Sequence, residues 1–124
     1  MIVIYTAREN ENRQRVLAAF SLPPEFPAVV EAEMISAHKV SQVLLGGHSH
    51  PHSEGFFLVE GSLVAKTWTS EKGYEHRALS SPVMFMFKPR EEHQLICSYG
   101  TILVGLSPVA FGEENNTPAE HLPA

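Results

Sequence analysis

Gly46-Gly47-His48-Ser49-His50-Pro51-His52-Ser53-Glu54, continuing as Gly55-Phe56-Phe57-Leu58-Val59-Glu60-Gly61, is the most informative stretch of the chain. The protein has seven histidines, and three of them fall within these five residues, 48 to 52. In an extended chain successive side chains point to opposite faces, so residues of equal parity share a face. His48, His50 and Glu54 can therefore converge on one interior face if the strands flanking the turn between them keep that parity. His52 has the same parity and is either an alternative ligand, a neighbour supporting the ligands, or a turn-tip residue in solvent. A fourth nitrogen is available at His93, within Phe87-Lys88-Pro89-Arg90-Glu91-Glu92-His93. Three imidazoles and a carboxylate form a mixed nitrogen and oxygen set suited to a divalent transition ion such as Fe, Mn, Zn, Ni or Cu.

Working outward, the apolar period is alternating from Ala28 onward. The runs 28–36, 39–46, 55–60, 62–68, 73–79, 83–88, 93–98 and 101–106 read as strands separated by turn signals. Gly61 and Gly73 supply the positive φ that tight hairpin connections need. No long helical pattern interrupts these runs, so parallel crossovers have no room and an all-β antiparallel sandwich or barrel is expected. Val83-Met84-Phe85-Met86-Phe87 is apolar at every position and predicts a strand covered on both faces. Its outer cover would be an N-terminal helix or a second subunit, the latter giving a homodimer. Phe56, Leu58, Trp68, Phe85 and Phe87 are read as core or as an aromatic rim over the histidines. Cys97 shares the face of His93 and is either packed in the core or a thiol close to a bound metal.

Upstream, Ile2 to Tyr5 reads as a short strand. Thr6 and Glu9 fit a capping box, and Val16, Leu17 and Phe20 give a small apolar stripe, so a short helix is expected before Pro23-Pro24. Ser21 to Pro27, with three prolines in seven residues, is a connector or extended arm. The segment from Gly112 onward is polar, and Thr117-Pro118-Ala119-Glu120 allows one helical turn at most. The organisation expected is one domain over 1–124, with a barrel at 28–107 between an N-terminal segment (1–27) and a tail (108–124).

The 124 residues carry nine basic and fourteen acidic side chains, a formal charge of −5. No basic cluster offers a footprint for a phosphate backbone or an anionic membrane, so no nucleic acid and no membrane partner is expected. No apolar run is long enough to span a bilayer, and the start lacks the pattern of a secretory signal. One cysteine excludes an intrachain disulfide and a paired-cysteine zinc site. Cytoplasmic localisation is the resulting expectation.

The segment His48 to Gly61 resembles the first signature of the cupin superfamily, in which two histidines one residue apart precede a glutamate and, six residues later, a glycine. The second cupin signature sets a proline, a glycine and a histidine in order, with an asparagine after three more residues. Pro89 and His93 match it with a spacing one residue shorter, Glu91-Glu92 stands where the glycine turn belongs, and Cys97 stands at the asparagine. Gly46-Gly47 also lies directly before His48 instead of several residues earlier. The resemblance covers about residues 28–107. It implies a double-stranded β-helix (jelly roll), with His48, His50, Glu54 and His93 as ligands of one divalent transition metal.

Three functions are compatible with such a barrel. One is a metal-dependent enzyme, an oxygenase or isomerase, holding its ion on those four residues and acting on a small organic molecule. Another is a metal-independent sugar-nucleotide isomerase or epimerase, with a barrel histidine as general acid/base beside a keto group; compact ketoisomerases of this kind resemble the layout. The third is a non-catalytic module that binds a small ligand. His76 projects into the barrel as an acid/base or stays outside, while His38 and His121 are assigned to the surface.

Overall fold

The computed structural model of the protein describes residues 1–4, 8–11, 16–19, 29–38 and 42–123. Its strands are β1 (Ile2–Ile4), β2 (Arg8–Glu11), β3 (Val16–Ala19), β4 (Glu31–Ser36), β5 (Gln42–Ser49), β6 (Glu54–Glu60), β7 (Ser62–Thr69), β8 (Gly73–Ser80), β9 (Val83–Phe87), β10 (Glu92–Ser98), β11 (Ile102–Ser107) and β12 (Thr117–Pro118). One turn of 3-10 helix covers Glu113–Asn115. Two five-stranded antiparallel sheets form the body, in the orders β1-β9-β6-β11-β4 and β12-β5-β10-β7-β8, and β2 with β3 makes a separate hairpin. Each expected run from Ala28 to Leu106 corresponds to one strand.

The alternation read from the sequence is the alternation of burial. On β7, Leu63, Ala65 and Thr67 are buried while the residues between them are half-exposed, and on β11 Leu103, Gly105 and Ser107 follow the same rule. The inward residues meet in one core that includes Phe56, Leu58, Leu63, Leu79, Val83, Phe85, Phe87, Leu95 and Leu103. The β6–β7 turn needs its glycine twice over. Gly61 sits at φ +95°, and a Cβ there would lie 2.6 Å from Thr101 Oγ1.

β9 is buried at all five positions. Val83, Phe85 and Phe87 enter the core, whereas Met84 and Met86 lie outside that cluster yet are only 3% and 1% exposed. The chain itself thus closes off the outer face of this strand.

The expected N-terminal helix is corrected over the described residues. Arg8–Glu11 and Val16–Ala19 pair as antiparallel strands, with Arg8 opposite Ala19 and Glu11 opposite Val16. Helix propensity is a weak prior that tertiary pairing overrides, and an apolar stripe of three residues buries too little to resist it. The remainder of that helix, and the proline-rich connector, lie outside the described residues. The strand expected at the start is present as β1, paired with β9.

β5 carries the feature that places the site. Leu45 pairs with Leu95 and Gly46 with Gln94, but His48 then pairs with His93, so β5 holds one residue more than its partner here. Gly46 and Gly47 adopt φ +85° and +87°, the left-handed conformations of a glycine-rich bulge. A Cβ on Gly46 would stand 2.8 Å from the carbonyl oxygen of His93. The bulge reverses parity. Val43 and Leu45 point inward before it, and His48 and His50 do so after it.

Candidate functional site

His48 at the end of β5, His50 just beyond it, Glu54 at the start of β6 and His93 at the start of β10 come together inside the sandwich. One ligand atom from each lies within 4.8 Å of all the others. His50, Glu54 and His93 are buried, and His48 is half-buried. The imidazole centroids of His48 and His50 are 4.4 Å apart, and that of His93 is 5.0 and 5.1 Å from them.

His93 is held on three sides. Its Nδ1 lies 2.9 Å from the carbonyl oxygen of Glu91, and a carbonyl only accepts, so Nδ1 carries the proton and Nε2 is the free lone pair. Its ring stacks on Phe87 at 4.3 Å and an interplanar angle of 5°. The turn before it, Lys88 to Glu91, closes through the Glu91 N–H donating to the Lys88 carbonyl at 3.2 Å. Pro89 holds the first central position of this turn and Arg90, at φ 68°, the second, where a glycine is usual. The Arg90 N–H donates to the carbonyl of His50 at 2.6 Å, tying the turn to the other side of the site. This tie accommodates the shortened spacing between Pro89 and His93.

The electrostatics follow from burial. Burial drives the pKa of His93 down from 6.5 to about 4, with Glu54 opposing. His48 is lowered by burial and by the neighbouring His50. Burial raises Glu54, but contact with His50 and the charges of the three imidazoles outweigh it, and its carboxyl is held below the ordinary range. His50 Nε2 approaches Glu54 Oε2 to 2.6 Å. That approach lies off the hydrogen-bonding direction, and among the described residues both ring nitrogens of His50 and Nε2 of His93 are buried without a hydrogen-bond partner. The His50–Glu54 contact is therefore electrostatic. Orphaned buried nitrogens are rare and need a reason; here one nitrogen of each ring converges with a Glu54 carboxylate oxygen on a shared point.

That point lies in a cavity of about 510 Å³. Ile35, Leu45, Phe56 and Leu95 give it apolar walls, and Glu33, Phe111 and Asn116 stand at its exposed edge. A few convergent polar groups in an apolar cleft form the usual layout of a small-molecule site.

The other residues singled out in the sequence fall as follows. His52 lines the cavity, its ring parallel to that of His50 at 4.9 Å and its Nδ1 donating to the Ser53 carbonyl at 2.8 Å. His76 is exposed on β8 opposite Lys66 and belongs to the outer face. His38 is exposed. Cys97 is core, and burial pushes its thiol up to about 11, away from the reactive thiolate. His121, assigned to the surface, is exposed there, with its ring stacked on Trp68 at 3.6 Å and its Nδ1 donating to Glu92 Oε2 at 2.7 Å. Trp68 is thus outside the aromatic rim. The contributions of Glu33, Phe111 and Asn116 were not legible, because they come from an edge strand and a tail with no periodic signal.

No family model matches the chain, and no curated protein matches it by sequence. Similar folds are found among solved structures. A TDP-fucose-3,4-ketoisomerase from Campylobacter jejuni superposes with a TM-score of 0.70 at 16% identity, over 92% of this chain and 86% of that one. A mutant 3,4-ketoisomerase from Thermoanaerobacterium thermosaccharolyticum, solved with TDP-4-keto-6-deoxyglucose, gives 0.77 at 13% identity, over 94% and 86%. A dTDP-4-dehydrorhamnose 3,5-epimerase from Bacillus anthracis gives 0.72 at 9% identity, over 94% and 76%. The chain accordingly has the antiparallel jelly-roll fold of these ketoisomerases and epimerases.

Proposed function

We propose that the cavity takes a small ketone with neighbouring hydroxyl groups, of the keto-sugar class, and that the histidine–glutamate cluster moves a proton between adjacent carbons. The observation that carries this reading is the buried His50–Glu54 pair, 2.6 Å apart, in the wall of a cavity of about 510 Å³. A neutral imidazole beside a carboxylate is a competent general base, because the carboxylate stabilises the imidazolium that forms. The base removes the proton from the carbon next to the carbonyl. That C–H electron pair becomes the C=C bond of an enediolate, and the carbonyl electrons move to oxygen. Return of the proton to the former carbonyl carbon, with the proton of the neighbouring hydroxyl passing to the former carbonyl oxygen, shifts the keto group by one position; its return to the opposite face of the first carbon, with the carbonyl re-formed, inverts that centre. Neither outcome needs an external oxidant or reductant. The likeness to ketoisomerases and epimerases supports this reading above the metal-dependent one.

The test is deuterium exchange. With TDP-4-keto-6-deoxyglucose in D2O, proton NMR should show loss of the signal from a carbon beside the keto group, slowed roughly a hundredfold or more in His50→Gln, the scale of general-base catalysis. Absence of exchange with this compound and with a keto sugar lacking the nucleotide overturns the reading.

A second reading rests on the orphaned nitrogens. His48, His50, Glu54 and His93 fit one divalent transition ion, with Nδ1 of His93 already donating to a backbone carbonyl as a ligating imidazole commonly does. Such an ion would supply a Lewis acid for a substrate oxygen. Metal analysis and zinc, nickel, manganese and iron titrations decide it. About one ion per chain, lost in His93→Ala and weakened as pH falls below about 6.5, supports the metal site. Full exchange activity after chelation assigns the proton transfer to the side chains alone.

A further inference from the structure

The chain beyond β11 does not end as a loose tail. It leaves the first sheet after Ser107, and the Phe111 N–H donates to Glu31 Oε2 on β4 at 2.6 Å. Phe111, Gly112 and Asn116 then line the cavity. Next, β12 pairs with the end of β5, Thr117 opposite Ser49 and Pro118 opposite His48, and the Ala119 N–H donates to the Gly47 carbonyl at 2.9 Å. The segment thus bridges the two sheets and grips β5 where the bulge sends His48 inward.

One side chain locks the far end. Glu92 stands beside His93 on β10 but points to the opposite face, where it is 7% exposed. Its Oε1 accepts the backbone N–H groups of Glu120 and His121 at 3.1 and 2.9 Å, and its Oε2 accepts His121 Nδ1–H at 2.7 Å. The His121 ring lies flat on Trp68, 3.6 Å away and 5° from parallel, and Trp68 is the residue opposite Glu92 on β7. A buried carboxylate with three donors, all of them from residues 120 and 121, is a strong anchor. The proton-transfer cluster uses none of these groups.

We propose that Glu92 is a positioning residue: by locking residues 111–121 as a strap, it sets the cavity wall made by Phe111 and Asn116 and fixes the strand end that carries His48. The proposal rests on the keto-sugar reading only for its effect on turnover.

Trp68 is the sole tryptophan, so its emission reports on the lock directly. In Glu92→Ala, Trp68 emission should shift and the Ala119 amide should exchange roughly tenfold faster while that of Leu95 stays protected. The imidazole nitrogen resonances of His48 should move. Glu92→Gln, which keeps an acceptor for the two backbone donors, should restore more than half of each change. For the keto sugar, KM should rise roughly fivefold with kcat within about twofold, the signature of a lost binding contact. Should Glu92→Ala fail to fold, His121→Ala is read in the same way. Unchanged His48 resonances and an unchanged Ala119 amide in a folded variant overturn the proposal. These readouts need no turnover, so a wild-type chain that exchanges no keto-sugar proton sinks the functional reading and leaves the strap to be judged on its own.

Discussion

The interior of the sandwich has two ends built by the same strands. On β10, Leu95 and Cys97 face the core while His93 faces the cavity; on β6, Phe56 and Leu58 give way to Glu54; on β5, Val43 and Leu45 give way to His48. One end is dry and interlocked around Leu58, Phe85 and Leu103, each at most 1% exposed. The other gathers three imidazoles and a carboxylate, and leaves both ring nitrogens of His50 and Nε2 of His93 without a hydrogen-bond partner among the described residues. The dry end supplies stability, and the polar end holds side chains whose protonation is set by burial and by one another.

Breaking the dry end should cost most. Phe85→Ala removes a fully buried ring and is expected to lower stability by about 3–5 kcal/mol in urea unfolding. A loss below about 1 kcal/mol, the level of an ordinary surface change, would show that the two ends are not energetically distinct.

The next effect comes from acid and strikes only the polar end. His93 titrates at about 4 in the fold against 6.5 unfolded, so between these values the unfolded chain binds the extra proton. Stability is then intact above pH 6.5 and falls as pH drops toward 4, by about 3 kcal/mol at about 1.4 kcal/mol per unit. His48, also lowered, acts in the same direction. Glu54, held below 4.5, adds stability above that value that is lost as pH falls through its folded pKa. Thermal melts of metal-free protein should show this slope, and His93→Gln should flatten it. An equal slope in that variant assigns the acid sensitivity elsewhere.

Gly46→Ala tests the boundary between the ends. The positive φ and the 2.8 Å approach to the His93 carbonyl predict a loss of about 2 kcal/mol, together with displaced His48 and His93 resonances. A variant as stable as wild type with an undisturbed site would remove the bulge from the account. The smallest effect has the opposite sign. Arg90→Gly relieves a left-handed backbone and should gain about 0.5–1 kcal/mol, and a destabilised variant would mean that the Arg90 side chain contributes more than its backbone costs.

The dry end was legible because alternation is a strong, redundant signal: β5, β7, β10 and β11 repeat it, and glycine marks the turns at 61 and 73. The four cluster residues were legible through spacing and type. Parity alone, though, would have placed His48 on the face opposite Leu45, and only the register of β5 against β10 shows why both point inward. The N-terminal helix was misread because three apolar residues fit several periods and strand pairing decided among them. The strap left no trace, since its anchors lie far away in the sequence, Glu92 by 29 positions from His121 and Glu31 by 80 from Phe111, and local pattern cannot encode such distances.

The Gly46–Gly47 bulge also carries a warning about sequence length. Removing one of the two glycines would restore an unbroken ladder and turn His48 and His50 out toward solvent, beside Leu44. The hydrophobic half, which begins at Leu45 and runs the other way, would be untouched. Such a deletion would melt, sediment and scatter like the parent while having lost its chemistry. A two-letter glycine word thus acts as a reading frame for the site, and homologues differing there by one residue should be compared by strand register, not by matching columns of letters.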